Sequence, residues 1–269
     1  MYFLPKDKEK IINYYKKNGY VVIRNFFLKK KIHSIKKKIL KNIQIEQNEF
    51  FYYEKIRNNS YKLRRIEKIS DFSREAKKII YSKKIIKFIN LITNSKNNLF
   101  KDKLNLKYPG GMGYMPHIDG HFYWRDKKNV KRLGWKVYSD SFINFVMPLE
   151  KSDQSNGCLY ISQKNNIHKL GNNWKQITNN LINFTPNIKN KDLNKFSFKP
   201  TILNVGDILL FDWHCAHKSR KNFSSKSRMI FYATYCKKNN KLKNVRNKYY
   251  LDKLTSKNNN KIKSLQFNH

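Results

Sequence analysis

Acidic residues are scarce in this chain: 18 Asp and Glu stand against 58 Lys and Arg in 269 residues, a formal net charge of +40. A balance this basic is what a binder of nucleic acid or of an anionic membrane shows. The lysines, however, run along the whole sequence instead of forming one block. They come with many Asn, Ile, Tyr and Phe, the residues favoured by A+T-rich codons, so most of the charge reads as drift onto solvated faces. Cysteine is equally short. Cys158, Cys215 and Cys236 make no CxxC pair and leave one thiol over in any disulfide scheme. Neither a disulfide framework nor a thiolate zinc site is indicated, and a reducing cytosol fits. No apolar run approaches the roughly 18 residues needed to span a bilayer. Met1-Tyr2-Phe3-Leu4-Pro5-Lys6 also turns charged too early for a secretory signal. A cytoplasmic protein with no membrane span is expected, and no internal repeat is evident.

Hydrophobic residues make up 39% of the chain and aromatics 14%, enough for one large domain with its own core. Residues 6–18 read as a helix stopped by Asn18-Gly19, and residues 20–26 as a strand. Helical spacing resumes over 27–43 and again over 70–93, so residues 1–98 are expected to be mainly helical support. From Leu99 the pattern changes to short strands: 100–108, 113–118, 141–147, 158–162, 201–204, 208–213 and 228–236. Short strands at uneven spacing predict an antiparallel sandwich or barrel, giving a mainly β protein with flanking helices. Residues 165–199 read as a polar insertion with one short helix around Trp174, and 237–269 as a loose basic tail.

The chemistry concentrates in two places. In His117-Ile118-Asp119 the i, i+2 spacing turns imidazole and carboxylate to one face of a strand, where both can reach one cation. About a hundred residues on, an apolar strand leads to His217 and Ser219, and after a linker of ten residues from His217 Arg228 opens a returning strand, expected to lie beside His217 in an antiparallel pair. Two histidines and one carboxylate make the facial triad that leaves three positions open on Fe(II) for a chelating cosubstrate and dioxygen. An arginine nearby would grip a distal carboxylate bidentately.

The string from Gly206 to Tyr235, with Asp207-Ile-Leu-Leu-Phe, then His217, Ser219, Asn222, Ser224 and Arg228, resembles the closing motif of the phytanoyl-CoA dioxygenase-like family of Fe(II)/2-oxoglutarate oxygenases. Lys107-Tyr-Pro-Gly-Gly before the His-x-Asp, Met147-Pro-Leu149 with Asn156-Gly157-Cys-Leu159, and Asn18-Gly-Tyr-Val-Val-Ile-Arg24 are similar to its other landmarks, in order, over about residues 8–236. The resemblance implies a double-stranded β-helix, a cupin-like jelly-roll barrel, forming a single oxygenase domain over 1–236. It implies Fe(II) on His117, Asp119 and His217, and 2-oxoglutarate held by Arg228 with help from Ser219 and Lys107. O2 would be the second cosubstrate. The activity implied is hydroxylation of an unactivated C–H bond of a small-molecule metabolite, an anionic one being left open, with 2-oxoglutarate converted to succinate and CO2. Related halogenases carry a small residue where Asp119 stands, which favours hydroxylation. His214 lies three residues before His217, faces the other way on a strand and is wrongly spaced from Arg228, so the metal is assigned to His217. His121 is read as a surface or cavity residue. The family's usual Pro-Gly-Ser-His turn is replaced by Ile161-Ser-Gln-Lys-Asn-Asn-Ile-His168, so His168 takes no assignment. The alternative function is nucleic-acid binding on an inactive oxygenase scaffold, which steep salt dependence would reveal.

Overall fold

A computed structural model of the chain describes residues 2–43, 49–56, 60–164, 178–182, 185–239, 242 and 244–255, with side chains omitted over 178–182 and 185–186. The first part of the chain runs β1 (Tyr2–Phe3), α1 (Lys8–Asn18), β2 (Tyr20–Ile23), α2 (Lys29–Ile43), β3 (Phe51–Lys55), β4 (Tyr61–Glu67), α3 (Ile69–Phe72), α4 (Arg74–Ile80) and α5 (Lys83–Thr93). It continues with β5 (Asn97–Lys107), β6 (Tyr114–His117), β7 (Tyr123–Arg125), β8 (Lys131–Leu133), β9 (Phe142–Pro148), β10 (Leu159–Ile161), β11 (Thr178–Ile182) and β12 (Thr185–Ile188). Last come β13 (Lys199–Thr201), β14 (Ile208–Asp212), β15 (His217–Ser219), β16 (Arg228–Lys237) and α6 (Val245–Thr255).

Eight strands form a large sheet in the order β1-β2-β14-β9-β16-β5-β4-β3, and four form a smaller one in the order β13-β10-β15-β6. The two sheets are the halves of the jelly roll. The helices pack on the large sheet because their apolar residues recur at helical steps, as in Ile85, Ile89 and Ile92 of α5, which join Ile32, Ile39, Phe145, Leu210 and Phe231 in the main core. Helix α1 stops at Gly19, whose φ of +78° suits the left-handed cap, with its N–H donating to the Tyr15 carbonyl at 2.7 Å.

The structure departs from the sequence pattern in several places. The expected helix over 70–93 is three helices, because Ser73 and Ser82 each cap a new start: their Oγ atoms accept from the Ala76 and Ile85 N–H at 3.2 and 3.3 Å. The helical portion also contributes β1 to β4 to the edges of the large sheet. Within 165–199, the described residues form the hairpin β11–β12 and a 3₁₀ turn over Asn190–Lys195, while the expected helix around Trp174, and His168, lie outside the described residues. The tail is not loose over Val245–Thr255. Helix α6 docks on β5, where Arg246 pairs with buried Asp102 at 2.9 Å and Tyr250 is buried.

Arg228 and His217 are not partners in one sheet. Strand β14 ends at Asp212, a turn closed by the Cys215 N–H on the Asp212 carbonyl carries the chain across, and β15 belongs to the small sheet. β16 lies in the large sheet, with Arg228 opposite Lys107 of β5. The two residues therefore approach the interior from opposite walls.

Candidate active site

Register builds the metal-ligand cluster. His217 on β15 is paired directly with His117 on β6, which brings their ring centroids to 4.1 Å, and the turn following β6 returns Asp119 to the same point. One ligand atom from each of the three can be chosen so that all lie within 4.8 Å of one another, and Asp119 Oδ2 is 4.0 Å from His217 Nε2. Both histidines are oriented by the same device. His117 Nδ1 faces the Met115 carbonyl at 2.7 Å and His217 Nδ1 the Cys215 carbonyl at 3.0 Å. Since a carbonyl only accepts, Nδ1 carries the proton and each Nε2 presents its lone pair. Burial pushes both imidazoles below their ordinary pKa, with His217 adding to the effect at His117, so both rings are neutral at neutral pH. Burial alone would raise the Asp119 carboxyl, but Lys101, His217, His117 and Lys103 outweigh it and hold it well below the usual carboxylate range. Two neutral imidazoles and a carboxylate are the donor set suited to a divalent iron.

Asp119 is held in turn by a chain the sequence reading missed. Asn144 Nδ2 donates to Asp119 Oδ2 at 2.9 Å, and Thr234 Oγ1 donates to Asn144 Oδ1 at 2.7 Å, from cross-strand partners on β9 and β16. The available signal was one amide inside the otherwise apolar strand Phe142–Pro148.

A second polar group lies where Arg228, Ser219 and Lys107 meet, all three buried. Arg228 Nη1 donates to the Gly157 carbonyl at 2.5 Å, and its Nε has no hydrogen-bond partner among the described residues. Lys107 Nζ donates to Ser219 Oγ at 2.9 Å, the Gly157 carbonyl at 3.2 Å and the Arg220 carbonyl at 2.5 Å, which occupies its three protons. Ser219 Oγ also accepts from the Tyr114 N–H at 3.1 Å, so its own O–H is left to donate. Gly157 is what lets these groups converge. It has φ +74°, and a Cβ there would lie 2.4 Å from the Arg220 carbonyl oxygen. Asn222 fixes the 220–227 return by donating to the carbonyls of Lys107 and Lys226, while its Oδ1 accepts from Ser224. These bonds account for Asn222 and Ser224 in the motif.

The triad opens into a cavity of about 180 Å³ between the sheets, closed on one side by α6 through Tyr249, Asp252 and Lys253. Trp124 and Trp135 line it, whereas Trp213 is a core residue. His121 and His214 stand apart from the triad. His121 Nδ1 faces the Asp119 carbonyl, its ring packs on Trp213, and His214 pairs with Asp212 at 3.0 Å. The cavity wall carries Arg65, Lys101, Lys103 and Lys253, with Glu67 ion-paired to Arg65 and Lys253. Burial would raise the Glu67 carboxyl, but Lys253 and Arg65 outweigh it and bring it to about 2. Burial, with Lys103 adding, lowers Lys101 to about 7.

The phytanoyl-CoA dioxygenase (PhyH) family matches residues 15–230, and the chain belongs to that family. Among curated relatives, the methylphosphonate hydroxylase of Gimesia maris is 28% identical over 162 residues, 59% of this chain and 52% of that protein. The 2-aminoethylphosphonate dioxygenase of an uncultured bacterium is 25% identical over 171 residues, 64% and 58% respectively. A dioxygenase of Epichloe uncinata is 22% identical over 191 residues, 71% and 66%. The chain thus spans between about half and two thirds of these relatives. The fold is similar to EctD of S. alaskensis, solved with 2-oxoglutarate and 5-hydroxyectoine (TM-score 0.65, 14% identity, 85% of this chain and 75% of that one). It is also similar to the epimerase SnoN, solved with Fe3+ and alpha ketoglutarate (0.63, 13%, 87% and 84%). Among the described residues no helix is long and apolar enough to cross a membrane.

Proposed function

We propose that the protein is an Fe(II)- and 2-oxoglutarate-dependent dioxygenase that hydroxylates a C–H bond of a small molecule. The observation that carries this reading is the convergence of two neutral Nε2 lone pairs and one ionised carboxylate on the wall of the cavity. His117, Asp119 and His217 hold the metal, and the Thr234–Asn144 chain fixes the carboxylate whose Oδ2 lies 4.0 Å from His217 Nε2. Arg228 and the Ser219 hydroxyl take the distal carboxylate of 2-oxoglutarate. Lys107, its protons committed to protein acceptors, positions Ser219 and Gly157. Iron and 2-oxoglutarate together supply the oxidising chemistry, consuming O2, releasing succinate and CO2, and delivering one oxygen atom to the substrate. The aromatic wall and α6 exclude bulk water from that event.

The test is an anaerobic titration of Fe(II) and 2-oxoglutarate followed through the visible charge-transfer band. Wild type and His214→Ala should develop it. His117→Ala, Asp119→Ala and His217→Ala should each lose it while keeping their circular dichroism. Iron loss in His214→Ala with retention in His217→Ala would overturn the ligand assignment.

A further inference from the structure

Two lysines of the cavity wall have no ion-pair partner among the described residues. Lys101 and Lys103 are two residues apart on β5, so both side chains leave the same face of the strand and line the cavity. Among the described residues neither ammonium makes an ion pair or a hydrogen bond. Lys101 Nζ lies 3.7 Å from the Trp135 ring centroid and Lys103 Nζ 5.2 Å from that of Tyr232. The acids of the cavity make their close contacts elsewhere, Asp119 acting on Lys101 and Lys103 only at longer range. Glu67 holds Arg65 and Lys253, Asp252 holds Lys248 and the Tyr138 hydroxyl, and Asp119 faces the two histidines. Adding Fe(II) and 2-oxoglutarate brings two positive and two negative charges, which leaves the excess unchanged.

The pair is set apart from Arg228 along β5. Arg228 stands in register with Lys107, and Lys103 and Lys101 lie four and six residues further along β5, about 13 and 20 Å at the rise of an extended strand. The anchor for the distal carboxylate of 2-oxoglutarate is therefore separate from this pair along the strand. An anion seated between two ammonium groups on the wall of a low-dielectric cavity would favour both charges.

We propose that Lys101 and Lys103 form the head-group site for the substrate, and that this substrate carries a dianionic oxyanion of the phosphonate or phosphate kind. The assignment rests on the oxygenase reading only in calling the ligand a substrate; the anion site stands on the two lysines.

The test is calorimetric titration of propylphosphonate, butyrate and propylammonium into the protein, alone and with anaerobic Fe(II) and 2-oxoglutarate. Lys101→Met/Lys103→Met is compared with Lys29→Met/Lys30→Met, which removes two exposed lysines of α2. Wild type and the α2 variant should bind propylphosphonate at least tenfold more tightly than butyrate and should not bind propylammonium. The cavity variant should lose at least tenfold in propylphosphonate affinity while keeping its 2-oxoglutarate titration and visible band. Lys103→Arg should retain binding, and Lys103→Gln provides a single change if the double variant does not fold. Equal propylphosphonate affinity in the cavity variant and wild type would overturn the proposal, as would a preference for propylammonium or a parallel loss of 2-oxoglutarate. Failure of wild type to form the visible band would sink the oxygenase reading alone, since the calorimetry judges the lysines without it.

Discussion

Removing the Arg246 charge should cost far more than a residue in a basic tail would suggest. Arg246 Nε and Nη2 both reach Asp102 Oδ1, at 3.0 and 2.9 Å, and Asp102 is 1% exposed. The other oxygen of Asp102 accepts from the Ser70 N–H at 2.8 Å. In Arg246→Met the carboxylate keeps its bonds from Ser70 and loses its charged partner, a change that costs about 3–5 kcal/mol when a buried pair is broken from one side. Burial already raises the Asp102 carboxyl above its ordinary pKa even with Arg246 opposing it, so without Arg246 it rises further. A carboxyl whose folded pKa is raised contributes most below its unfolded pKa and loses that contribution as pH climbs through the folded value. The deficit of Arg246→Met should therefore be largest at neutral pH and shrink toward pH 4 to 5, near the ordinary Asp pKa of about 3.9. Urea denaturation followed by circular dichroism at both pH values measures it. Adding Asp102→Asn should recover at least half the loss, because the orphaned charge is gone. A deficit under about 1 kcal/mol, or no recovery in the double variant, would show that the pair does not hold α6 to β5.

Arg228→Lys should raise the 2-oxoglutarate concentration needed for half-saturation at least tenfold with little change in iron affinity, since a lysine offers a point charge where a fork is required; equal cosubstrate affinity in Arg228→Ala would remove the residue from the site. Asp119→Gly should abolish or cripple hydroxylation, read as succinate-coupled product by mass spectrometry, and full activity would show that Asp119 is not a ligand. Gly157→Ala should lower the melting temperature and weaken 2-oxoglutarate binding together, because the added methyl collides with the Arg220 carbonyl at a positive φ; an unchanged melting curve would contradict the close approach.

Much of the candidate metal site was legible because each of its three residues sits in a short motif at the end of a strand. His117 and Asp119 are two residues apart, and the eleven-residue step from His217 to Arg228 is fixed by a loop that Asn222 ties to β5. What the sequence reading had wrong was the wall. It put Arg228 beside His217 on one sheet, whereas the turn after Asp212 sends β15 to the opposite sheet. Chain spacing between two ligands constrains how the loop closes, and either arrangement closes a loop of that length.

Charge hid the rest. Strand β4 went unread because Tyr61–Glu67 shows lysines and arginines where a strand buried on one face shows apolar residues. Arg65 and Glu67 face inward as an ion pair, and Lys253 joins them from 186 residues away. The same holds for α6, where Arg246 is neutralised by Asp102 at a separation of 144 residues. Hydropathy periodicity scores each of these side chains as solvent-facing because it evaluates one segment at a time. A charged residue buries only with its partner, and that partner is set by topology. A chain of +40 makes such residues the hardest to sort, since the few lysines that line the cavity are indistinguishable in sequence from the many on solvated faces. The acids are the better guide. With only 18 of them, the buried ones mark places where the fold has gathered cations: Glu67 and Asp102 anchor α6 over the cavity, and the half-buried Asp119 feels both the histidines and the two cavity lysines.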